Sequence, residues 1–253
     1  MRLECFCMKK TAVIVLAGGF GKRMQSDLPK VLHTLHNRPL VSYVLDAVKA
    51  SGVCDEVVVV VGYKKELVKE TLGAEYKYVV QEEQLGTGHA VMCTEDALRG
   101  RADEILVLYG DMPYVSAGTI RALVESQQKS NGAFSMATVT VPDFNEWREA
   151  FYGYGRIIRD KEGNILKTVE KKDASEEELK IKELNPCYYC FNAEWLWKHL
   201  HSLENNNAQK EYYLTDLVSV ATGEGQKIPL ISIEPKEALG INTREHLERL
   251  HRL

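Results

Sequence analysis

The chain has 253 residues, 45% of them hydrophobic and 27% charged, the proportions of an ordinary folded protein with length for one large domain or two small ones. Its 32 Lys and Arg against 36 Asp and Glu leave a formal charge of −4, so no overall field draws nucleic acid or an anionic membrane, and any anion must be held locally. No apolar run approaches a membrane span, and 18 Gly with 7 Pro exclude collagen-like and low-complexity chains. In chain order, the opening Met1 to Cys7 lacks the apolar stretch of a signal peptide and Met8 is an alternative start, which predicts a cytoplasmic protein. Ala12 to Ala17 is a continuous apolar run ending in glycines, the pattern of a parallel strand buried on both faces. Apolar residues at 40, 41, 44, 45 and 48, with Pro39 before and Gly52 after, predict a helix. Further strands are expected at Glu56 to Gly62 and Ile105 to Tyr109, with helical sequence between them.

From 133 to 191 the pattern shifts to shorter strands, Phe134 to Val141, Gly155 to Arg159 and Ile165 to Glu170, with a turn at Lys161 to Asn164. The charged stretch Ser175 to Lys182 reads as a solvated helix or loop. The six cysteines fall at 5, 7, 54, 93, 187 and 190, without the density of a disulfide framework. Cys187 and Cys190 lie in an apparent strand, where residues three apart point to opposite faces, so they are expected as core cysteines rather than a redox or metal pair. The expected fold is α/β: a Rossmann-like mixed, mainly parallel sheet flanked by helices, with a smaller β-rich lobe over the site.

The most informative segment is Leu16-Ala17-Gly18-Gly19-Phe20-Gly21-Lys22-Arg23-Met24, followed by Leu28-Pro29-Lys30. Glycines at 18, 19 and 21 let backbone N–H groups approach an anion, Arg23 can fork two phosphate oxygens and Lys30 adds a point charge. A plain glycine turn with surface cations is the alternative. The dinucleotide fingerprint fails because Met24 stands where its third glycine belongs, and no Gly-Lys-Ser/Thr completes a Walker A loop. Asp111, in Tyr109-Gly110-Asp111-Met112-Pro113, leaves a strand at its carboxyl end, where open α/β sheets hold ligands, and a carboxylate there suits Mg2+ as well as it suits a plain turn.

The glycine-rich segment resembles the signature of the nucleotide-diphospho-sugar pyrophosphorylases, Leu-Ala-x-Gly-x-Gly-x-Arg-Met followed by Pro-Lys. The short gap before Lys30 resembles the amino-sugar branch, the N-acetylglucosamine-1-phosphate uridylyltransferases. Gln81-Glu82-Glu83-Gln84-Leu85-Gly86-Thr87-Gly88-His89-Ala90 is similar to that branch's uracil loop. The resemblance implies that Leu16, Ala17, Gly18, Gly19, Gly21, Gln81, Gly86 and Thr87 bind the nucleotide. It also implies that Arg23 and Lys30 are catalytic, and that Asp111 and Asn242, in Leu239-Gly240-Ile241-Asn242-Thr243, hold Mg2+. Tyr109, Gly110, Gly155, Glu170 and Asn185 are implied as substrate contacts, the last three on the N-acetylglucosamine hydroxyls and acetamido group. His89 is expected to be structural, and Asn207 to Asp216 is a long match of scaffold character.

In this chain Asn185-Pro186-Cys187 stands where the family reads Asn-Thr-Gly or Asn-Ser-Gly, which removes a hydroxyl and an N–H and adds a side chain. Bifunctional family members add a left-handed β-helix that acetylates glucosamine 1-phosphate. No hexapeptide repeat occurs here, so a nucleotidyltransferase domain over 8–243 is expected, with 244–253 starting a helix through Leu247, Leu250 and Leu253. The implied reaction joins UTP and N-acetylglucosamine 1-phosphate into UDP-N-acetylglucosamine and pyrophosphate, a precursor for peptidoglycan, with no nucleic-acid or membrane partner. A uridylyltransferase for another sugar 1-phosphate, a catalytically silent nucleotide-sensing module and, more remotely, a nicotinamide dehydrogenase are the competing readings.

Overall fold

Along the first apolar run Val13 and Val15 point into one buried cluster, Ala12 and Ile14 into another. A strand with this alternation must be covered by helices on both faces. The computed structural model describes residues 9–250; the Met8 start, Cys5, Cys7 and Leu253 lie outside them. The strands are β1 (Thr11–Leu16), β2 (Thr34–Leu35), β3 (Arg38–Pro39), β4 (Glu56–Val61), β5 (Lys77–Val80), β6 (Glu104–Tyr109), β7 (Phe134–Thr140), β8 (Gly155–Arg159), β9 (Ile165–Val169), β10 (Glu183–Asn185), β11 (Tyr189–Asn192) and β12 (Leu230–Ser232). The α-helices are α1 (Leu40–Ser51), α2 (Lys65–Leu72), α3 (Thr87–Met92), α4 (Glu95–Leu98), α5 (Ala117–Ser130), α6 (Ala193–His199), α7 (Leu217–Gly223) and α8 (Arg244–Leu250).

All but the small β2–β3 pair form one mixed sheet in the order β5-β4-β1-β6-β11-β7-β10-β8-β9, with β12 also on β7. Strands β5, β4, β1 and β6 run parallel, Ile14 pairing with Val58 on one side and Val107 on the other. α1 and α5 cover one face through Val44, Leu45, Ile120 and Leu123. α3, α6 and α7 cover the other through Val91, Leu196 and Leu217. α1 buries the face predicted for it, starts after Pro39 and stops at Gly52, whose left-handed backbone ends the hydrogen-bonded turn.

The antiparallel strands expected as a lobe continue the main sheet. β7 is long enough to serve both halves: Phe134–Met136 pairs with β11, while Val139 and Thr140 pair with β10, which leads to β8 and β9. The Cys187 expectation needs correction. The strand begins only at Tyr189, and Cys187 has φ +63°, so the strand alternation does not extend to it. Cys190 is a core residue as expected, whereas Cys187 lines a cavity. Among the described residues no helix is long and apolar enough to cross a membrane.

Candidate active site

From β1 the chain goes to β4 and β5 on one side, then returns to β6 on the other, so the sheet changes direction between β1 and β6. The crevice beyond the carboxyl ends of such a strand pair is where open α/β sheets take ligands. Two loops leave it, the glycine-rich loop after Leu16 and the Gly110-Asp111 loop after Tyr109, drawn together by the Gly110 N–H donating to the Leu16 carbonyl at 2.9 Å. Gly21 has φ +67°, and a Cβ there would lie 2.8 Å from the Lys30 Cβ, so the loop rests on Lys30 only because position 21 has no side chain. Ala17, whose N–H donates to the Val60 carbonyl, has its side chain in the core.

Four charged and polar groups from separate parts of the sequence meet at this crevice. Lys30 forms an ion pair with Asp111, and its Nζ donates to Asn242 Oδ1 at 2.9 Å. Arg23 donates to the same oxygen at 3.1 Å. Asn242 is brought from the far end of the chain by the Ile241 N–H, which donates to the Asp111 carbonyl at 2.9 Å. Tyr154 holds the same loop: its hydroxyl donates to the Ala238 carbonyl at 2.6 Å and accepts from the Gly240 N–H at 2.8 Å. The Asp111 carboxylate and the Asn242 carboxamide oxygen therefore both converge on one positive group, the Lys30 ammonium. A carboxylate and a carboxamide oxygen lining the same cavity are hard oxygen donors of the kind Mg2+ takes, with its remaining ligands coming from phosphate and water. Among the described residues no group of three or more His, Cys, Asp or Glu side chains is placed to hold a metal ion.

Two cavities meet here, of about 530 Å³ and about 300 Å³, with Lys30, Thr87, Tyr109, Asp111 and Glu211 lining both. The larger is bounded by Leu16, Gly18, Gly19, Gln81 and Gly86. Gln81 is buried, and its Nε2 donates to the Gly86 carbonyl at 3.0 Å and lies 3.1 Å from His89 Nδ1, so His89 orients Gln81 from behind. The smaller cavity is bounded by Gly155, Glu170 and Asn185. Burial pushes the Glu170 carboxyl up, partly opposed by the Thr215 hydroxyl donating to Oε1 at 3.0 Å. Asn185 is almost wholly buried; its Oδ1 accepts from the Cys187 N–H at 2.8 Å and its Nδ2 donates to the Tyr189 hydroxyl. Ala17, Gly21 and Gly110 line neither cavity and shape the loops around them.

Several lining residues escaped the sequence reading. Gln209, Glu211, Tyr213 and Thr215 all border the smaller cavity. The backbone that presents them is not a strand: Gln209 sits in a turn, Lys210 has φ +58° and Thr215 belongs to a short 3-10 helix, so no simple period marks them within the stretch read only as scaffold. Phe20 and Gln84 border the larger cavity, and Tyr154 and Cys187 the smaller. Asp216 follows in the same segment, and burial together with the nearby Asp173 carboxylate pushes its carboxyl up to about 6. The unfolded chain releases this proton near pH 4, so the folded protein holds more protons between about 4 and 6, and stability falls as pH rises through that window. Asp216→Asn is expected to raise Tm at pH 7.5 and to change it little at pH 4, measured by thermal scans at both values.

The model of the MobA-like NTP transferase domain matches residues 13–215, four-fifths of the chain and nearly all of this crevice. The chain belongs to the MobA-like NTP transferase family. Among similar proteins, the bifunctional protein GlmU of Clostridium acetobutylicum is 43% identical over 235 residues, 92% of this chain and 50% of that protein. GlmU of Caldicellulosiruptor saccharolyticus is 40% identical over 241 residues, 94% of this chain and again half of the relative. The chain thus spans about half the length of the curated relatives it matches. A solved UDP-glucose pyrophosphorylase in complex with UDP-glucose shares the fold of this chain, with a TM-score of 0.75, 17% identity, and coverage of 96% of this chain and 97% of that one.

Proposed function

We propose that the protein is a uridylyltransferase that joins UTP and N-acetylglucosamine 1-phosphate into UDP-N-acetylglucosamine and pyrophosphate, acting in the cytoplasm. The observation that carries this reading is the convergence of Arg23, Lys30, Asp111 and Asn242 where the two cavities meet. The 40 to 43% identity to GlmU proteins across nearly the whole chain supports the amino-sugar substrate.

The nucleotide base occupies the Gln81 side and the sugar the Glu170 side, so the phosphates come together over Lys30. A phosphate oxygen of the sugar phosphate attacks the α-phosphorus of UTP in line; the new P–O bond forms as the bond to the β-phosphate breaks, and pyrophosphate leaves with that electron pair. The nucleophile is already anionic, so no base and no covalent enzyme intermediate is needed, and catalysis rests on positioning and charge neutralisation. Lys30 neutralises charge at the reacting phosphates and Arg23 forks the departing pyrophosphate. Asp111 and Asn242 would hold Mg2+, which when bound would supply further charge neutralisation at the phosphates.

Pyrophosphate release tests the reading directly, with Mg2+ and UTP against a panel of sugar 1-phosphates, and with ATP, CTP and GTP against N-acetylglucosamine 1-phosphate. Turnover confined to UTP and the N-acetylated sugar is the expected result. Turnover with another sugar phosphate keeps the mechanism and replaces the substrate; nucleotide binding without turnover replaces the enzyme reading with that of a silent module.

A further inference from the structure

The wall of the smaller cavity between β10 and β11 differs in chemistry from the others. Asn185 ends β10, Tyr189 begins β11, and Pro186 and Cys187 between them both face the cavity. Pro186 has no N–H to offer. The Cys187 N–H is taken by Asn185 Oδ1, and the Asn185 Nδ2 by the Tyr189 hydroxyl. The Cys187 Sγ lies 3.7 Å from the Asn185 carbonyl, and burial keeps the thiol protonated. The donors of this wall are thus engaged within it, and the side chains that Pro186 and Cys187 bring to the cavity are a proline ring and a neutral thiol. Around the remaining perimeter stand the Glu170 carboxyl, the Thr215 hydroxyl, Tyr109 and Asn242.

A sugar phosphate in this cavity must place its hydroxyls against partners, because a buried hydroxyl without one is costly. A methyl group carries no such demand and fits best on the wall that offers no donor. We propose that Pro186 and Cys187 form the acyl-facing wall of the sugar subsite and that Cys187 limits the length of the N-acyl group the sugar 1-phosphate carries. The inference rests on the uridylyltransferase reading above and adds a specificity-determining residue to it. The backbone at position 187 lies in the left-handed region that glycine adopts most easily, so Cys187→Gly opens the wall without disturbing the chain path.

The test compares the wild-type protein, Cys187→Gly and Cys187→Ser with UTP and the N-acetyl, N-propionyl and N-butyryl forms of glucosamine 1-phosphate, and with glucose 1-phosphate. For the wild type, kcat/KM is expected to fall about tenfold or more from acetyl to propionyl, the discrimination one methylene gives against a packed wall. Cys187→Gly is expected to recover most of that loss, and Cys187→Ser to raise the relative use of glucose 1-phosphate. A propionyl-to-acetyl ratio in Cys187→Gly within about twofold of wild type, less than the effect of one methylene, overturns the proposal. Absence of pyrophosphate release with every sugar marks failure of the function reading instead. In that case the acyl ratio is read from calorimetric binding of the same sugar 1-phosphates, and a ratio indifferent to Cys187, or no binding, overturns the wall.

Discussion

Arg23→Ala is expected to lower kcat about a hundredfold or more, the usual cost of removing a charge-stabilising donor from a water-poor site. The guanidinium sits in the open part of the crevice and touches Asn242 through one nitrogen, leaving its other N–H groups for phosphate oxygens. The fold does not lean on it: Asn242 keeps its bond from Lys30 and its loop stays tied to Asp111 and Tyr154. Tm of the variant should therefore match the wild type while turnover collapses. Arg23→Lys should fail nearly as badly, since an ammonium cannot reproduce a planar fork across two oxygens. Steady-state pyrophosphate release with a parallel thermal scan separates the outcomes. Near-normal kcat in either variant removes Arg23 from the catalytic set.

Asp111→Asn is the second large effect, and its signature differs. The side chain is nearly buried and faces the Lys30 ammonium, itself only partly exposed. Replacing the carboxylate by a carboxamide keeps the volume but deprives both Lys30 and a bound Mg2+ of their anionic partner. Turnover should fall about a hundredfold or more. The Mg2+ concentration giving half-maximal rate should rise. Unlike Arg23→Ala, this variant should also lose Tm, because an ammonium left without its counter-charge in a partly buried position is destabilising. An unchanged Mg2+ dependence would exclude Asp111 as a metal ligand.

The parts of this site that were legible in the sequence are those whose function follows from local chemistry. The β1 run, the glycines after it and the carboxylate at the end of β6 each announce themselves within ten residues, and the helix α1 is marked by its own period and its Pro39 and Gly52 ends. The strands β10 and β12 have three residues each, too few for any alternation to register, and they exist only because neighbouring strands offer them hydrogen bonds, β7 and β8 to β10 and β7 to β12. Cys187 was misplaced for a similar reason: the hydrophobic run through Tyr188 and Tyr189 looks extended, but Asn185 folds its side chain onto the Cys187 N–H and turns the backbone. Tyr154, which anchors the Asn242 loop, carried no signal, since its two partners are more than eighty residues away.

The order in which the sheet's strands occur along the chain has a consequence for how the molecule comes into being. β11 lies between β6 and β7, antiparallel to both, yet it is made after β7. When the first seven strands have left the ribosome, β6 has no neighbour on that side and β7, which packs on α5, has no strand to pair with. Both edges wait until Tyr189 arrives to pair with Val107 and Met136 at once. Such non-local closure is slow and leaves pairing edges open meanwhile. The same four-residue strand that joins the parallel half of the sheet to the antiparallel half thus also makes their assembly a single late event.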